Sequence, residues 1–143
     1  MPASSLPFRS LLHAAWEPVA RRDARVFQVA FLTAFLAFVL GWRGYTLAPP
    51  FMAIVIVGCL ATQEIATRLS GAKPSGFLSP LISALSLCLL LRTGSPWVAL
   101  LAAVLSIGSK FVIRVNGKHV FNPTNFGLLV TVALTGEIGR AHV

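Results

Sequence analysis

Apolar residues fall into five blocks along the chain, near 26–42, 50–67, 77–92, 96–113 and 124–136, and the short stretches between them hold most of the charge. Blocks this long and this evenly apolar are helical rather than strand-like. At about 1.5 Å of rise per residue the first can cross most of a hydrocarbon core of about 30 Å. The blocks at 50–67 and 96–113 read as further spans, and 124–136 begins another. The block at 77–92 is short. It reads as a tight span or as a re-entrant half-helix, which is tolerated where it is buried or lines a cavity. Ser79, Ser83 and Ser86, with Pro80, are spaced so that their hydroxyls share one helical face.

The polar breaks carry boundary signals. Trp42, Arg43 and Tyr45 read as an interfacial belt closing the first span. Pro49 and Pro50 suit a first helical turn, and 92–96 reads as a turn. Ala102, Ala103, Ser106, Gly108 and Ser109 offer small surfaces for close helix packing. Glu64 and Arg68 stand at i and i+4. They read as an ion pair at the water boundary, favoured by the neighbouring Lys73, or as an intramembrane carboxylate on an ion path. Residues 1–25 form a basic, weakly amphipathic leader, cytoplasmic or interfacial, with Trp16 suited to the headgroup level. No cleavable signal peptide is evident.

Composition turns this pattern into a class. The chain is 56% hydrophobic and 11% charged, with a mean hydropathy of +0.80, whereas a soluble domain carries about 25% charged residues. The fold class is therefore all-α, a polytopic transmembrane helical protein. Twelve Lys and Arg against four Asp and Glu give a net charge of +8. The apolar content argues against nucleic acid as the partner of this excess and for the lipid bilayer, whose flanking charges orient helices. If every block spans, Arg9, Arg21, Arg22, Arg25, Arg68, Lys73, Lys110, Arg114 and Lys118 share one side, against Arg43 and Arg92 on the other. That asymmetry predicts a multi-pass protein of the cytoplasmic (inner) membrane with its N-terminus in the cytoplasm. A re-entrant third block would reverse the side of everything after it. Cys59 and Cys88 lie inside apolar runs without ligand partners and read as small buried hydrophobes.

Catalytic signatures are missing. No Gly-x-Ser-x-Gly, His-Glu-x-x-His or phosphate-binding glycine loop occurs. His13 and His119 have no matching ligands, so no metal site is expected, and four acidic residues leave little for paired-carboxylate chemistry. The informative stretch is 110–125, which places three Lys/Arg and several amides between two apolar blocks. Asn116-Gly117 is a turn signal, and Asn122-Pro123 opens a helix with Asn122 or Thr124 as its cap. Residues 110–118 read as a basic loop that orients the chain. The helix start beyond it offers free N–H groups suited to anions, carbonyl oxygens or the polar edge of a flavin. A plain capped loop is the other reading.

The ordered set Leu81-Ile-Ser-Ala-Leu-Ser-Leu87, Pro96-Trp97, Ile107-Gly-Ser-Lys110 and Gly117-Lys-His-Val-Phe-Asn-Pro-Thr-Asn-Phe-Gly127 resembles the first half of the RnfD/NqrB family. Those proteins are membrane subunits of the Rnf and sodium-pumping NADH:quinone oxidoreductase complexes, and the resemblance covers about 76–134. It implies about one inverted repeat of a urea-transporter-like fold and other subunits of a membrane electron-transfer complex as partners. It further implies FMN, linked through a phosphodiester to a Thr in Ser-Gly-Ala-Thr, in a subunit that couples electron transfer to ion translocation. Asn122, Thr124 and Asn125 are the residues that would contact the cofactor. The chain departs from the family in two places. Ser70-Gly71-Ala72 is followed by Lys73, which cannot form the ester, and Thr124-Asn125 stands where many members have Pro-Ala. A small-solute channel or transporter on the same fold, without redox activity, is the alternative. Finally, Glu137-Ile-Gly-Arg-Ala-His-Val143 is what a common short-read sequencing adapter encodes in one frame. The natural protein is therefore expected to continue past about Gly136, leaving the helix opened at Asn122-Pro123 without a proper end, and Arg140 and His142 carry no functional weight.

Overall fold

The structure is a computed structural model that describes residues 23–44, 47–73, 76–115, 118–119 and 121–136. The leader with His13 and Trp16, Tyr45, the Asn116-Gly117 pair and the segment 137–143 lie outside the described residues. The described chain is mostly helical, and each helix begins or ends on a recognisable local signal. α1 (Ala24–Trp42) starts at Asp23, whose carboxylate accepts a hydrogen bond from the Arg25 amide at 3.0 Å. α2 (Pro49–Ser70) has proline in its first turn, where a missing N–H costs nothing, and ends at Gly71 with φ 62°. α3 (Leu78–Leu90) follows, and α4 (Pro96–Val112) again opens on proline. Two short strands, β1 (Arg114–Val115) and β2 (Lys118–His119), pair antiparallel with Val115 opposite Lys118. α5 (Pro123–Thr135) closes the described chain.

Two of these helices, α1 with 19 residues and α2 with 22, are long and apolar enough to cross a membrane; α3, α4 and α5 are apolar but shorter. α5 ends at Gly136, which adopts φ 64° and whose amide bonds the Val132 carbonyl at 2.9 Å, a left-handed glycine stop.

α4 is the central element, packing most extensively on α5 and α2, while α1 lies against α3. Lys110 near the end of α4 hydrogen-bonds Ser79 in the first turn of α3, and residues 91–95 join the other ends of the two helices. The pair is therefore antiparallel. α3 runs as one unbroken helix of 13 residues, about 20 Å at its helical rise, and does not turn back within the block. Val55, Cys59, Ala84, Leu87, Cys88, Ala99, Ala102, Ala103 and Ile107 are fully buried. Cys59 and Cys88 are free thiols within this core. The outer surface is apolar as well: in α1 only Leu36 is buried, and Phe31, Trp42, Leu69 and Val112 are among the large side chains left exposed.

Small residues set how closely the helices meet. Ala102, Ala103, Ser106 and Ser109 are buried as their spacing predicts. A Cβ on Gly58 would come within 3.2 Å of Ala103 and Leu100 across the α2–α4 contact. Gly127 is tighter still: a Cβ there would lie 2.6 Å from the Ser106 amide nitrogen and 2.7 Å from its Cα. Gly108, grouped with the packing residues on sequence grounds, is corrected. Nothing lies within 4 Å of a Cβ at that position, because Gly108 falls outside the buried stripe of α4. Gly127→Ala should therefore force α5 off α4 and destabilise the protein by about 1–3 kcal/mol. Gly108→Ala should be neutral or stabilise by up to about 1 kcal/mol through helix propensity alone. Unfolding free energies in detergent, followed by helical circular dichroism, compare the two.

Candidate functional site: a basic pocket at one end of the bundle

Residues of four helices that are far apart in sequence meet where α1, α3 and α5 begin and α4 ends. They line a pocket of about 430 Å³. α1 contributes Arg25 and Gln28; α3 contributes Ser79, Ile82, Ser83 and Ser86; α4 contributes Lys110; the start of α5 contributes Phe121, Asn122, Pro123 and Thr124. The serine face foreseen from the 79–83–86 spacing is the wall that α3 presents. Ser83 also donates back to the Ser79 carbonyl at 3.4 Å, a local bond that keeps its hydroxyl satisfied when the site is dry.

Lys110 corrects the reading of residues 110–118 as a loop. It sits in the last turn of α4 and is only 8% exposed. It follows Ala99, Ala103 and Ser106 at intervals that keep all four on one helical face, so the face that buries the small residues buries the lysine too. Its Nζ donates to Ser79 Oγ at 3.2 Å and lies 3.4 Å from the Ser79 carbonyl oxygen. An ammonium has three N–H donors, and among the described residues Ser79 is the partner recorded for them. The loop proper starts later. Arg114 on β1 turns back to the helix end, where Nε donates to the Lys110 carbonyl at 2.5 Å and the guanidinium sits 5.3 Å from the centre of the Phe111 ring.

Asn122 is the cap of α5. Its side-chain oxygen accepts from the Thr124 amide at 3.1 Å, and its carbonyl accepts from Phe126 at 3.0 Å to begin the helix. Thr124 is buried at 4% exposure. Of the three residues singled out for a cofactor, Asn122 and Thr124 line the pocket, whereas Asn125 is exposed and outside its lining. Arg25 and Gln28 were not foreseen. Arg25 is the first basic residue of α1 and reads as a membrane flank; only the docking of α1 on α3 turns it toward the site. Glu64 and Arg68 form an ion pair at 2.7 Å with side chains 62% and 78% exposed, away from the pocket lining.

Among the described residues, Lys110 and Arg25 line the pocket and no carboxylate does. The N-termini of α3 and α5 also open into it, each carrying the positive end of a helix dipole. The α3 start has no side-chain cap. The arrangement is built to receive negative charge or hydrogen-bond acceptors. Comparison with protein-family models, with curated proteins and with solved structures found no match.

Removing the α5 cap tests the local construction. Asn122→Ala should cost about 1 kcal/mol of stability, and Asn122→Asp should restore most of it, since Asp caps as well as Asn. Denaturation midpoints of the three proteins provide the comparison.

Proposed function

We propose that the chain is a multi-pass subunit of the cytoplasmic membrane, N-terminus inside, belonging to an electron-transfer complex of the RnfD/NqrB type that couples flavin-mediated electron transfer to ion movement. The observation that carries this reading is convergence. Of the four segments on which the resemblance rests, three contribute to one pocket although they are well separated in sequence: the serine-bearing helix at 81–87, the Lys110 segment and the Phe121-Asn122-Pro123 helix start; Pro96-Trp97 is outside its lining. The membrane part is supported by the two spanning-length helices and by large apolar side chains exposed around the bundle, a surface suited to lipid. The orientation is supported by charge: Arg25, Lys110 and Arg114 gather at the pocket end, while Arg43 and Arg92 follow α1 and α3 at the other.

A flavin fits the lining in kind. The pocket volume lies within the range of about 300–1,000 Å³ common for small-molecule sites. Asn122, Thr124 and the α3 hydroxyls offer groups for a polar ring edge or a phosphate. Covalent attachment would use a threonine outside this chain's Ser70-Gly71-Ala72-Lys73 string. A bound flavin supplies the redox chemistry; these residues would hold and orient it.

Expression of the complete reading frame from the native locus should yield a membrane protein with in-gel flavin fluorescence. Solute uptake by flavin-free, purified full-length protein would instead favour the transporter reading. Topology is a separate measurement. With Cys59 and Cys88 replaced by alanine, a cysteine at Gly117 should be protected from an impermeant thiol reagent in intact cells. One at Thr93 should react, and the reverse pattern would place the N-terminus outside.

A further inference from the structure

α1 has two faces. Leu36 is its one buried residue, and Val29, Leu32 and Leu40 on the same side pack against the core. Arg25 and Gln28 also face inward, to the pocket. The opposite side carries Phe27, Phe31, Ala34, Phe38 and Gly41, all exposed. Their spacing of four, three, four and three residues is the 3.5-residue repeat that keeps one seam turned toward a partner helix. Phe35 and Trp42 flank the seam and stack on Phe31 and Phe38, with ring centroids 6.2 and 6.3 Å apart. Its bulky positions are therefore ordered before any partner arrives. Glycine inside a helix costs about 1 kcal/mol relative to alanine. Gly58 and Gly127 are each explained by a close approach within the chain, whereas a Cβ at Gly41 would meet nothing within 4 Å.

We propose that the outer seam of α1 is a homodimer interface, on which α1 of a second copy of this chain packs in parallel about a two-fold axis along the membrane normal. Within lipid, helices associate through close packing rather than through removal of apolar surface from water. Copies in one membrane share their orientation, so the two-fold sets each seam position opposite itself at the same depth. The paired Phe31 and Phe38 layers then spread into the space left by the Ala34 and Gly41 layers. A partner of different sequence would have to match that order of large and small layers, whereas a second copy does so by symmetry. The seam is uncharged, and Arg25 lies on the opposite face of α1, so the pairing sets no like charges across the axis. The area is sufficient. Phe27, Phe31, Phe35, Phe38 and Trp42 are between 45% and 81% exposed. At about 200 Å² per aromatic side chain they present about 600 Å², and a standard interface takes about 800 Å² from each partner; Ala34, Gly41 and their neighbours supply the difference. The inference rests on α1 spanning the membrane and is independent of electron transfer, so its test needs no flavin.

With Cys59 and Cys88 replaced by alanine, the full chain carrying Ala34→Cys is oxidised with copper phenanthroline in native membranes. It should form a cross-linked species of twice the chain's mass. Thr33→Cys, also exposed but about 100° around the helix from Ala34, should stay monomeric. Any other pattern overturns the proposal, whether no product, equal products at the two positions, or cross-linking of Ala34→Cys to a different polypeptide. Phe31→Ala, at an exposed position, should weaken association about tenfold, read as energy transfer between labelled chains while lipid is added. Gly41→Ile, which fills a small layer, should weaken it as well. Association unchanged in both variants overturns the proposal equally.

Discussion

The bond from Lys110 to Ser79 joins the end of α4 to the start of α3, 31 residues apart in sequence, and much of the bundle is arranged around it. It fixes α3 and α4 as an antiparallel pair and brings their polar ends to the same level. Because α5 packs on α4 through the Gly127–Ser106 approach, the α5 N-terminus arrives at that level too. Because α1 lies on α3, Arg25 and Gln28 complete the ring. A cation that is expensive to bury thus becomes affordable only in company with oxygen atoms and helix ends, and the pocket is the form that company takes.

Much of the helix layout was legible in the sequence, and for local reasons. Proline at positions 49, 96 and 123 and asparagine at 122 act within one helical turn of themselves, so their effect survives without tertiary context. The serine face of α3 was legible because its spacing is a property of one helix. The features that were missed are all relational. Gly127 matters only because Ser106 stands opposite. Gly108, chemically the same residue, faces open space. Lys110 looked like the first residue of a basic loop because charge is a stronger signal than phase. Its phase with Ala99, Ala103 and Ser106 already placed it on the buried stripe, and phase won. Arg25 and Gln28 depend on which helix docks against α3, a long-range choice that periodicity does not encode.

The two acidic features of the described chain stay out of the pocket, and this separates two kinds of ion chemistry. Glu64 is neutralised by Arg68 on the exposed surface of α2, an arrangement worth a few tenths of a kcal/mol that gives no reason to place a carboxylate on a conduction path. Asp23 serves the first turn of α1. A sodium ion or proton path needs oxygen ligands or titratable carboxylates in a field that does not repel cations. The pocket offers hydroxyl oxygens, but two cations and two helix N-termini govern its field. Among the described residues the pocket therefore lacks the carboxylates that such a path would use, and its hydroxyls and helix ends converge beside the helix that begins at Asn122-Pro123.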